Sequence, residues 1–307
     1  MSTGSSNNQT RSYLMQRFSE IGIRPRTNLG QNFLIDLNLL RLLHSSAQLE
    51  SNDVVLEVGT GTGSLTGLMS QNAGRVITVE VDSAMHQLAK EELQERENIT
   101  FLHTDILQNK NRLSPLVLDA VRSALAEIPN SRFKLAANLP YCVATPLMSN
   151  LLLSDVPPYS MTVTIQKELA ERIVAKPSTK DYSALSLWMQ SQCHCRIIRN
   201  MPPSVFWPRP KVNSAIVQAT FDLRLRKRIP DLSYFHQFCR ETFFHRRKFL
   251  RSVLIAMLKD KLGKPEVDDV MTKMNFTDQT RAESLSVETL LKLCETIRTI
   301  VQAKKTQ

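Results

Sequence analysis

A glycine-rich turn that directly follows an apolar strand is the feature that most constrains this fold. Residues 54–63 read Val-Val-Leu-Glu-Val-Gly-Thr-Gly-Thr-Gly, and helical spacing begins near Ser64. Glycines let the backbone of such a turn approach a ligand closely, in conformations that side chains forbid. A strand, a glycine turn and a helix in this order are typical of open α/β sheets, which bind ligands at the carboxyl ends of their strands.

Short apolar runs alternate with helical patterns from Asp53 onward, which predicts strands joined by helical crossovers. The predicted strands are 54–58, 75–80, 99–103, 133–137, 161–165, 195–198 and 215–221. The predicted helices are 64–71, 83–94, 145–153, 167–175 and 183–192, with Ser83 as an N-cap. We therefore predict an α/β fold with a seven-stranded, mostly parallel, Rossmann-like sheet.

The pattern changes after residue 221, where a basic linker precedes apolar residues spaced by three and four. Residues 224–307 hold 18 Lys and Arg against 10 Asp and Glu, whereas residues 1–223 hold 21 against 19. The basic excess predicts a polyanionic partner for a small C-terminal all-α domain. The expected division is a disordered tail (1–10), a catalytic domain (11–223) and a basic helical domain (224–307).

Composition and cysteine usage exclude several classes of protein. Hydrophobic residues make up 42% and charged residues 22% of the chain, and no apolar run approaches the roughly 20 residues of a membrane span. The Ser- and Asn-rich start lacks the order of a secretory signal, although its lack of acids before Glu20 leaves a mitochondrial transit peptide as an alternative. Five cysteines without a C-x-x-C pair favour a reducing cytoplasm, and we expect no disulfide framework and no metal site.

The spacing of the glycine turn indicates which cofactor it binds. Dinucleotide-binding turns read G-x-G-x-x-G, but position 64 is Ser, and the Lys of a phosphate-binding loop is also absent. Glu80 ends the second strand, where a carboxylate can accept from both ribose hydroxyls of an adenosyl group, and Asp105 follows the third strand, placed for the adenine amine. Alone, each could be a structural turn or a solvated carboxylate. In this order, at the ends of successive strands, they predict S-adenosylmethionine.

The turn after the fourth strand, Asn138-Leu139-Pro140-Tyr141, carries the predicted chemistry. Adenine N6 is a poor nucleophile, and the Asn138 side-chain carbonyl and the Leu139 backbone carbonyl can accept from it in a pyramidal geometry. Pro140 stiffens the turn, and the Tyr141 ring can stack on an everted base. The alternative is a simple strand-ending turn. Cytosine-C5 methylation needs a Pro-Cys nucleophile, which this chain lacks, so Cys142 is interpreted as a packing residue.

With these residues, the chain resembles the ribosomal RNA adenine-N6 dimethyltransferases, most closely the bacterial small-subunit members called KsgA. The similar segments are 29–34 (Leu-Gly-Gln-Asn-Phe-Leu), 57–63, 138–141, the loop 202–214 and the basic segment 244–251, which the resemblance implies to be a helix. The resemblance implies class I methyltransferase activity. The cofactor contacts it implies, together with the glycine turn, are Gln31, Asn32, Leu34, Gly59, Gly61, Gly63, Glu80, Asp105 and Asn138.

The resemblance also implies a substrate. Two neighbouring adenosines in a hairpin loop near the 3′ end of small-subunit ribosomal RNA would each receive two methyl groups, with Tyr141 and Phe206 sandwiching the base, during small-subunit biogenesis. RNA-backbone contacts are expected from Arg246, Arg247, Lys248 and Arg251. The partner would be the immature small subunit and the enzyme a monomer.

Three features leave alternatives open. Phe206 could instead be a hydrophobic plug between prolines, and the basic segment could be an ordinary solvated helix face. Family members commonly carry Lys before the Gly-Gln-Asn-Phe segment, whereas this chain has Arg-Thr-Asn-Leu at 26–29, so an RNA contact could move to Arg24 or Arg26.

Other functions were weighed against this one. The erythromycin-resistance methyltransferases share the motifs but act on large-subunit RNA, and the basic segment and acid-poor N-terminus favour the small subunit. A DNA adenine methyltransferase would need a sequence-reading domain. A binding module in ribosome assembly would not need the intact turn at 138–141.

Overall fold

The computed structural model describes residues 10–26 and 29–305, without the side chain of Lys305. Its strands are β1 (Phe33–Leu34), β2 (Asp53–Val58), β3 (Arg75–Glu80), β4 (Ile99–His103), β5 (Leu107–Asn109), β6 (Arg112–Leu113), β7 (Arg132–Asn138), β8 (Ser160–Gln166), β9 (Cys193–Met201), β10 (Phe206–Trp207) and β11 (Ser214–Phe221). Its helices are α1 (Arg11–Glu20), α2 (Leu37–Ser46), α3 (Ser64–Met69), α4 (Ser83–Glu92), α5 (Pro115–Glu127), α6 (Ala144–Leu153), α7 (Lys167–Val174), α8 (Ala184–Gln190), α9 (Leu223–Arg226), α10 (Leu232–Phe244), α11 (Leu250–Met257), α12 (Lys264–Lys273) and α13 (Val287–Lys305). Within the described part of the chain, no helix is both long and apolar enough for a membrane span.

The main sheet has the strand order β4-β3-β2-β7-β8-β11-β9, which confirms the predicted seven-stranded sheet. Strand β2 pairs in parallel with β3 and β7, β3 pairs in parallel with β4, and β7 with β8, while β11 runs antiparallel to β8. Every residue of β2 is buried, as expected for a central strand covered on both faces. Strands β3 and β4 lie on one side of β2, whereas β7 and β8, which follow later in the sequence, lie on its other side. The crevice between β2 and β7 is therefore the topological switch point of the sheet.

Beside the main sheet lies a second, smaller sheet that the sequence did not predict. Strands β1 and β10 form a two-stranded antiparallel ribbon that pairs Phe33 with Trp207 and Leu34 with Phe206. The ring of Phe18 lies 5.3 Å from that of Phe33 and 5.6 Å from that of Trp207. This aromatic packing joins α1 to the ribbon.

Two helix starts differ from the expectation. The N-cap of α4 is Asp82 and not Ser83: Asp82 has extended backbone, and its Oδ1 accepts the backbone N–H groups of Ala84 and Met85 at 3.0 and 3.3 Å. The predicted tail at 1–10 lies outside the described residues except for Thr10, which caps α1 by accepting from the Tyr13 backbone N–H.

Contacts divide the chain into two compact units. One contains the residues up to Ala170 together with Arg196–Phe221, and the other contains Glu171–Cys195 and the residues from Asp222 onward. The segment 171–195 reads as a crossover in sequence but belongs to the second unit, because Trp188 of α8 packs against Phe235 of α10 at 6.1 Å. The functional roles assigned to 11–223 and 224–307 stay predictions.

The expectation that residues 244–251 form a basic helix is wrong. Helix α10 ends at Phe244 and α11 begins at Leu250, with a turn between them that we call the basic turn (residues 245–249). The Leu250 backbone N–H donates to the Thr280 carbonyl at 2.7 Å instead of continuing a helical ladder. The chain is thereby redirected, and the spacing expected for a single helix does not apply across the turn.

Candidate active site

A cavity of about 290 Å³ opens at the carboxyl ends of β2, β3, β4 and β7. This lies at the low end of the range of about 300–1,000 Å³ that small-molecule sites occupy. The structure brings ten predicted site residues together in its lining, which are Gln31, Asn32, Gly59, Gly61, Glu80, Asp105, Asn138, Leu139, Pro140 and Tyr141. The cavity is therefore formed by segments that lie far apart in the sequence.

The glycine turn lies against two neighbouring segments. Gly59 has a φ of +84°, and a Cβ there would lie 3.2 Å from Cδ of Pro140. Gly61 has a φ of +54°, and a Cβ there would lie 3.1 Å from the ring of Phe33. Both positions therefore favour glycine for its backbone conformation and for the close approach of a neighbour. Gly63 does not line the cavity; it precedes α3, against Leu93.

Glu57 lies beneath the glycine turn and not in the cavity. Its buried Oε2 accepts hydrogen bonds from the hydroxyls of Thr66 on α3 and Thr78 on β3, at 2.5 and 2.7 Å. Burial, opposed by these two hydrogen bonds, raises the pKa of Glu57 to about 8. Glu57 is therefore a largely protonated acid at neutral pH that connects β2, β3 and α3.

Glu80 is held in place by the backbone around it. Its Oε1 accepts the N–H groups of Val81 and Asp82, and its Oε2 accepts that of Gly61, all at 3.0 Å. Burial nevertheless raises the pKa of Glu80. A carboxylate has about four acceptor positions, so one remains on Oε2 for a ligand hydroxyl in this arrangement.

Asp105 is more accessible than Glu80. Its Oδ1 accepts the backbone N–H of Leu107 at 2.8 Å, and no hydrogen bond from the described residues ends on its Oδ2. The side chain is exposed and lines the cavity, so this second oxygen can accept from an amine.

Arg26 and Gln31, which we call the strap, contact the segment that follows β3. Asp82 Oδ2, almost fully buried, lies 3.3 Å from Nε of Arg26 and accepts from Nε2 of Gln31 at 3.2 Å. Gln31 Oε1 accepts the Arg26 backbone N–H at 2.7 Å. Thr27 and Asn28, part of the departure from the family pattern, lie outside the described residues.

Asn138 ends β7 with one half of its amide engaged. Its Nδ2 donates to the Asn32 backbone carbonyl at 2.9 Å, and no hydrogen bond from the described residues ends on its Oδ1. The Leu139 backbone N–H donates to Thr164 of β8 at 3.2 Å, while its carbonyl likewise accepts nothing from the described residues. Two acceptors in adjacent residues are thus available at the cavity wall.

Tyr141 is anchored by its hydroxyl, which lies 2.6 Å from the Ser214 hydroxyl on β11. Burial raises the pKa of Tyr141, so the phenol is neutral at physiological pH. The anchor fixes the ring where it lines the cavity.

Comparison with known proteins identifies the family of this chain. Residues 22–298 match the family described as Ribosomal RNA adenine dimethylase. The chain belongs to this family. Membership makes it a methyltransferase, as the resemblance implied.

Relatives and solved structures agree with this. The Ribosomal RNA small subunit methyltransferase A of Clostridium botulinum strain Kyoto is 35% identical over 274 residues, covering 89% of this chain and 94% of the relative. The protein of that name from Bacillus licheniformis is 31% identical over 284 residues, covering 92% and 94%. A dimethyladenosine transferase from Plasmodium falciparum has a TM-score of 0.73 at 23% identity, over 86% of this chain and 97% of that one. The 23S rRNA methyltransferase ErmE has a TM-score of 0.59 at 20% identity, over 87% and 99%. Both structures show the shared fold.

Three residues of this rRNA adenine dimethylase lie elsewhere than expected: Phe206, the predicted cofactor contact Leu34, and Cys142. Phe206 is 3% exposed and does not line the cavity, because its pairing with Leu34 places both side chains in the core around β2 and α2. This is the hydrophobic plug that was the alternative interpretation. Cys142, interpreted as a packing residue, is instead exposed and lines the cavity.

The four predicted RNA-contacting side chains of the dimethylase fall into two pairs. Arg246 donates to the Tyr182 carbonyl at 2.9 Å and lies 3.7 Å from Glu283, and Arg251 forms a bidentate pair with Asp268. Arg247 and Lys248 are exposed and form no ion pair with residues that the structure describes. Arg24 is likewise exposed and unpaired within the described chain, whereas Arg26 is paired with Asp82.

Sequence reasoning missed two side chains that hold the site of this family member together. Ser214 was part of the matching loop, but its spacing does not indicate that its hydroxyl anchors Tyr141. Asp82 directly follows the predicted strand that ends near Glu80, yet its role in fastening the strap depends on contacts across 51 positions of the chain.

Proposed function

We propose that this protein uses S-adenosylmethionine to dimethylate N6 of two adjacent adenosines in a hairpin loop near the 3′ end of small-subunit ribosomal RNA, during small-subunit biogenesis. The single observation that carries the proposal is the pair of available acceptors, Asn138 Oδ1 and the Leu139 carbonyl, beside the anchored ring of Tyr141. Family membership supports the reaction class.

The residues present fit an adenosyl group. Gly59 and Gly61 keep the turn free of side chains, Glu80 retains an acceptor position for a ribose hydroxyl, and Asp105 Oδ2 is available for the adenine amine. Dinucleotide pyrophosphate would find no third glycine at position 64. When bound, the cofactor supplies an electrophilic methyl group on a sulfonium.

The two acceptors can compensate for the poor nucleophilicity of adenine N6. The lone pair of adenine N6 is delocalised into the ring, and hydrogen bonds from the amine to Asn138 Oδ1 and the Leu139 carbonyl favour a pyramidal nitrogen with a localised lone pair. The Asn138 amide is prevented from rotating by its bond to Asn32. Because these acceptors are already in position, they do not have to reorient during the reaction. Methylation raises no requirement for a general base, because the product amine loses its proton readily.

The Tyr141 ring supports binding of an everted base. Its hydroxyl is occupied by Ser214, so the ring contributes its face and not a proton. Stacking on an aromatic ring offsets the cost of removing the base from its neighbours. Phe206 could complete a sandwich only by leaving the core, so we infer that Tyr141 carries the stacking in the arrangement described.

The small subunit is favoured as the substrate by the names of the relatives and by the basic excess after residue 224. Of the four side chains predicted to contact the RNA backbone, Arg247 and Lys248 are available for phosphates. A cytoplasmic monomer remains the expectation.

The test uses small ribosomal subunits purified from cells that lack this modification. The full chain and isotopically labelled methyl donor are added, and nuclease digests are analysed by mass spectrometry. We expect N6,N6-dimethyladenosine at two neighbouring positions of one 3′-terminal fragment, with large subunits and duplex DNA unlabelled. Label in large subunits would assign the erythromycin-resistance type of activity. Absence of dimethyladenosine from all three substrates would refute the proposal.

A further inference from the structure

The groove between α10 and α11 is not used by the proposed reaction. It has a volume of about 770 Å³, and Val253 and Met257 supply apolar surface. Arg240 and Lys248 also line it, and among the described residues of the lining Glu241 is the only acid. The groove therefore combines apolar surface with positive charge.

Phe244 is the unusual residue of this groove. It ends α10 and is 80% exposed, and the ring of His245 approaches it edge-on at 4.8 Å. Large aromatic side chains are normally buried to a high degree, so a ring left in solvent marks an interaction site when other binding groups surround it.

The charges lie on the same face as the ring. Arg240 precedes Phe244 by one helical turn, which places the two side chains next to each other on α10. Lys248 follows in the basic turn, and neither cation forms an ion pair with residues in the described ranges. Glu241 accepts from Gln237 Nε2 at 2.6 Å. An exposed ring and two cations in the lining of one groove suit a ligand with a flat face and an anionic backbone.

We propose that this groove binds an unpaired segment of RNA, with one base stacked on Phe244 and neighbouring phosphates contacted by Arg240 and Lys248. Unpaired RNA is recognised by base stacking on aromatic rings combined with a positively charged groove. The choice of RNA rests on the proposed function. An acidic, apolar peptide would meet the same charges, but it would need only apolar bulk at position 244 and not a planar ring.

The experiment measures binding of a fluorescein-labelled uridine octamer to the full chain by fluorescence anisotropy. The probe contains no adenine, so the cavity at Tyr141 is not engaged by its target base. We expect Phe244→Ala to weaken binding about tenfold, Phe244→Leu to weaken it similarly, and Phe244→Trp to retain affinity within about twofold, because stacking needs an aromatic face. Leu116→Ala removes another exposed apolar side chain, in the other unit, and serves as the control.

Two further arms test the nature of the ligand. Lys248→Gln should reduce the slope of log affinity against log salt by about 0.7, the value for one phosphate contact on a single strand. The same octamer annealed to its complement should bind with no dependence on Phe244.

The results separate this inference from the proposed reaction. Equal binding by all Phe244 variants, retained affinity in Phe244→Leu, or equal Phe244 dependence for the duplex would each overturn it. A protein that methylates small subunits but binds the octamer independently of Phe244 would therefore contradict the groove assignment alone.

Discussion

At the cavity, Glu80 accepts three backbone N–H groups, and close to it Asp82 joins the strap to α4. In the basic turn, Arg247 and Lys248 extend into solvent without partners in the described chain. Fixed groups suit a small ligand that must be held in one geometry, whereas mobile cations suit a polyanion whose phosphates vary in position. The cavity is therefore suited to holding a small ligand in one geometry, and the basic turn is suited to attracting a polyanion.

Among substitutions in the cavity, we expect the largest effect on turnover at Asn138. Asn138→Ala removes one of the two acceptors for the target amine, and turnover should fall by about 10²–10³, the usual cost of losing one preorganised hydrogen-bonding group. Single-turnover methylation of small-subunit RNA measures this. Asn138→Asp keeps an acceptor and should retain more activity than the alanine variant. The exposed Asn111→Ala is the control, and equal turnover in all four proteins would remove Asn138 from the reaction.

The second effect concerns stability and pH at Glu57. Its pKa rises from 4.5 in the unfolded chain to about 8 in the fold, so the folded state holds an extra proton between these values. The stabilisation is complete below pH 4.5 and is lost as pH rises to 8. Relative to Glu57→Gln, the native protein should lose on the order of 4 kcal/mol of stability across this window.

Chemical denaturation of both proteins at several pH values measures the difference. Glu97→Gln, a change at an exposed acid, should follow the native profile. Parallel profiles for the native protein and Glu57→Gln would contradict a protonated buried acid at this position.

A smaller effect is expected for cofactor affinity at Glu80. Glu80→Gln replaces an acceptor by an amide N–H that faces the backbone N–H groups around it, and it removes a charge-assisted hydrogen bond. The dissociation constant for S-adenosylmethionine should rise on the order of tenfold. Isothermal titration calorimetry measures this, with Glu95→Gln as an exposed control. Unchanged affinity would show that the ribose hydroxyls bind elsewhere.

The smallest effect compares two arginines near the basic turn. Arg247→Gln should lower RNA affinity about two- to fivefold and flatten its salt dependence, because an unpaired cation contacts phosphate directly. Arg251→Gln should leave RNA affinity unchanged and lower the melting temperature slightly, because Arg251 is paired with Asp268. Equal losses of RNA affinity in both variants would contradict the distinction between an unpaired Arg247 and an Arg251 paired with Asp268.

Local patterns predicted the sheet and the cavity because both depend on signals within a few residues. The positions of three features follow from the local sequence alone, without any information about distant partners. These features are the apolar run at β2, the glycines after it and the carboxylate of Glu80. The order of these signals then places them at one edge of the sheet, because parallel strands share the direction of their carboxyl ends. Ten of the expected residues accordingly line one cavity.

Residues whose environment is set by long-range contacts were the ones misplaced. The resemblance implied an accessible ring at Phe206, but its pairing with Leu34 buries it, as in the alternative interpretation of a hydrophobic plug. The basic segment has helical spacing, but the Leu250 N–H donates to the Thr280 carbonyl, so the helical hydrogen bonding is not continuous across the segment. Trp188 looks like part of a crossover helix, and only its contact with Phe235 shows which core it joins. No local pattern contains these partners.

The ribbon of β1 and β10 has a consequence for how the protein is made. Phe33 forms one wall of the cavity and is paired with Trp207, which leaves the ribosome long after the glycine turn and Glu80. Because a nascent chain folds in order of emergence, the wall cannot be completed on a partly synthesised polypeptide. On a nascent chain this wall therefore lacks its partner strand until position 207 has been translated.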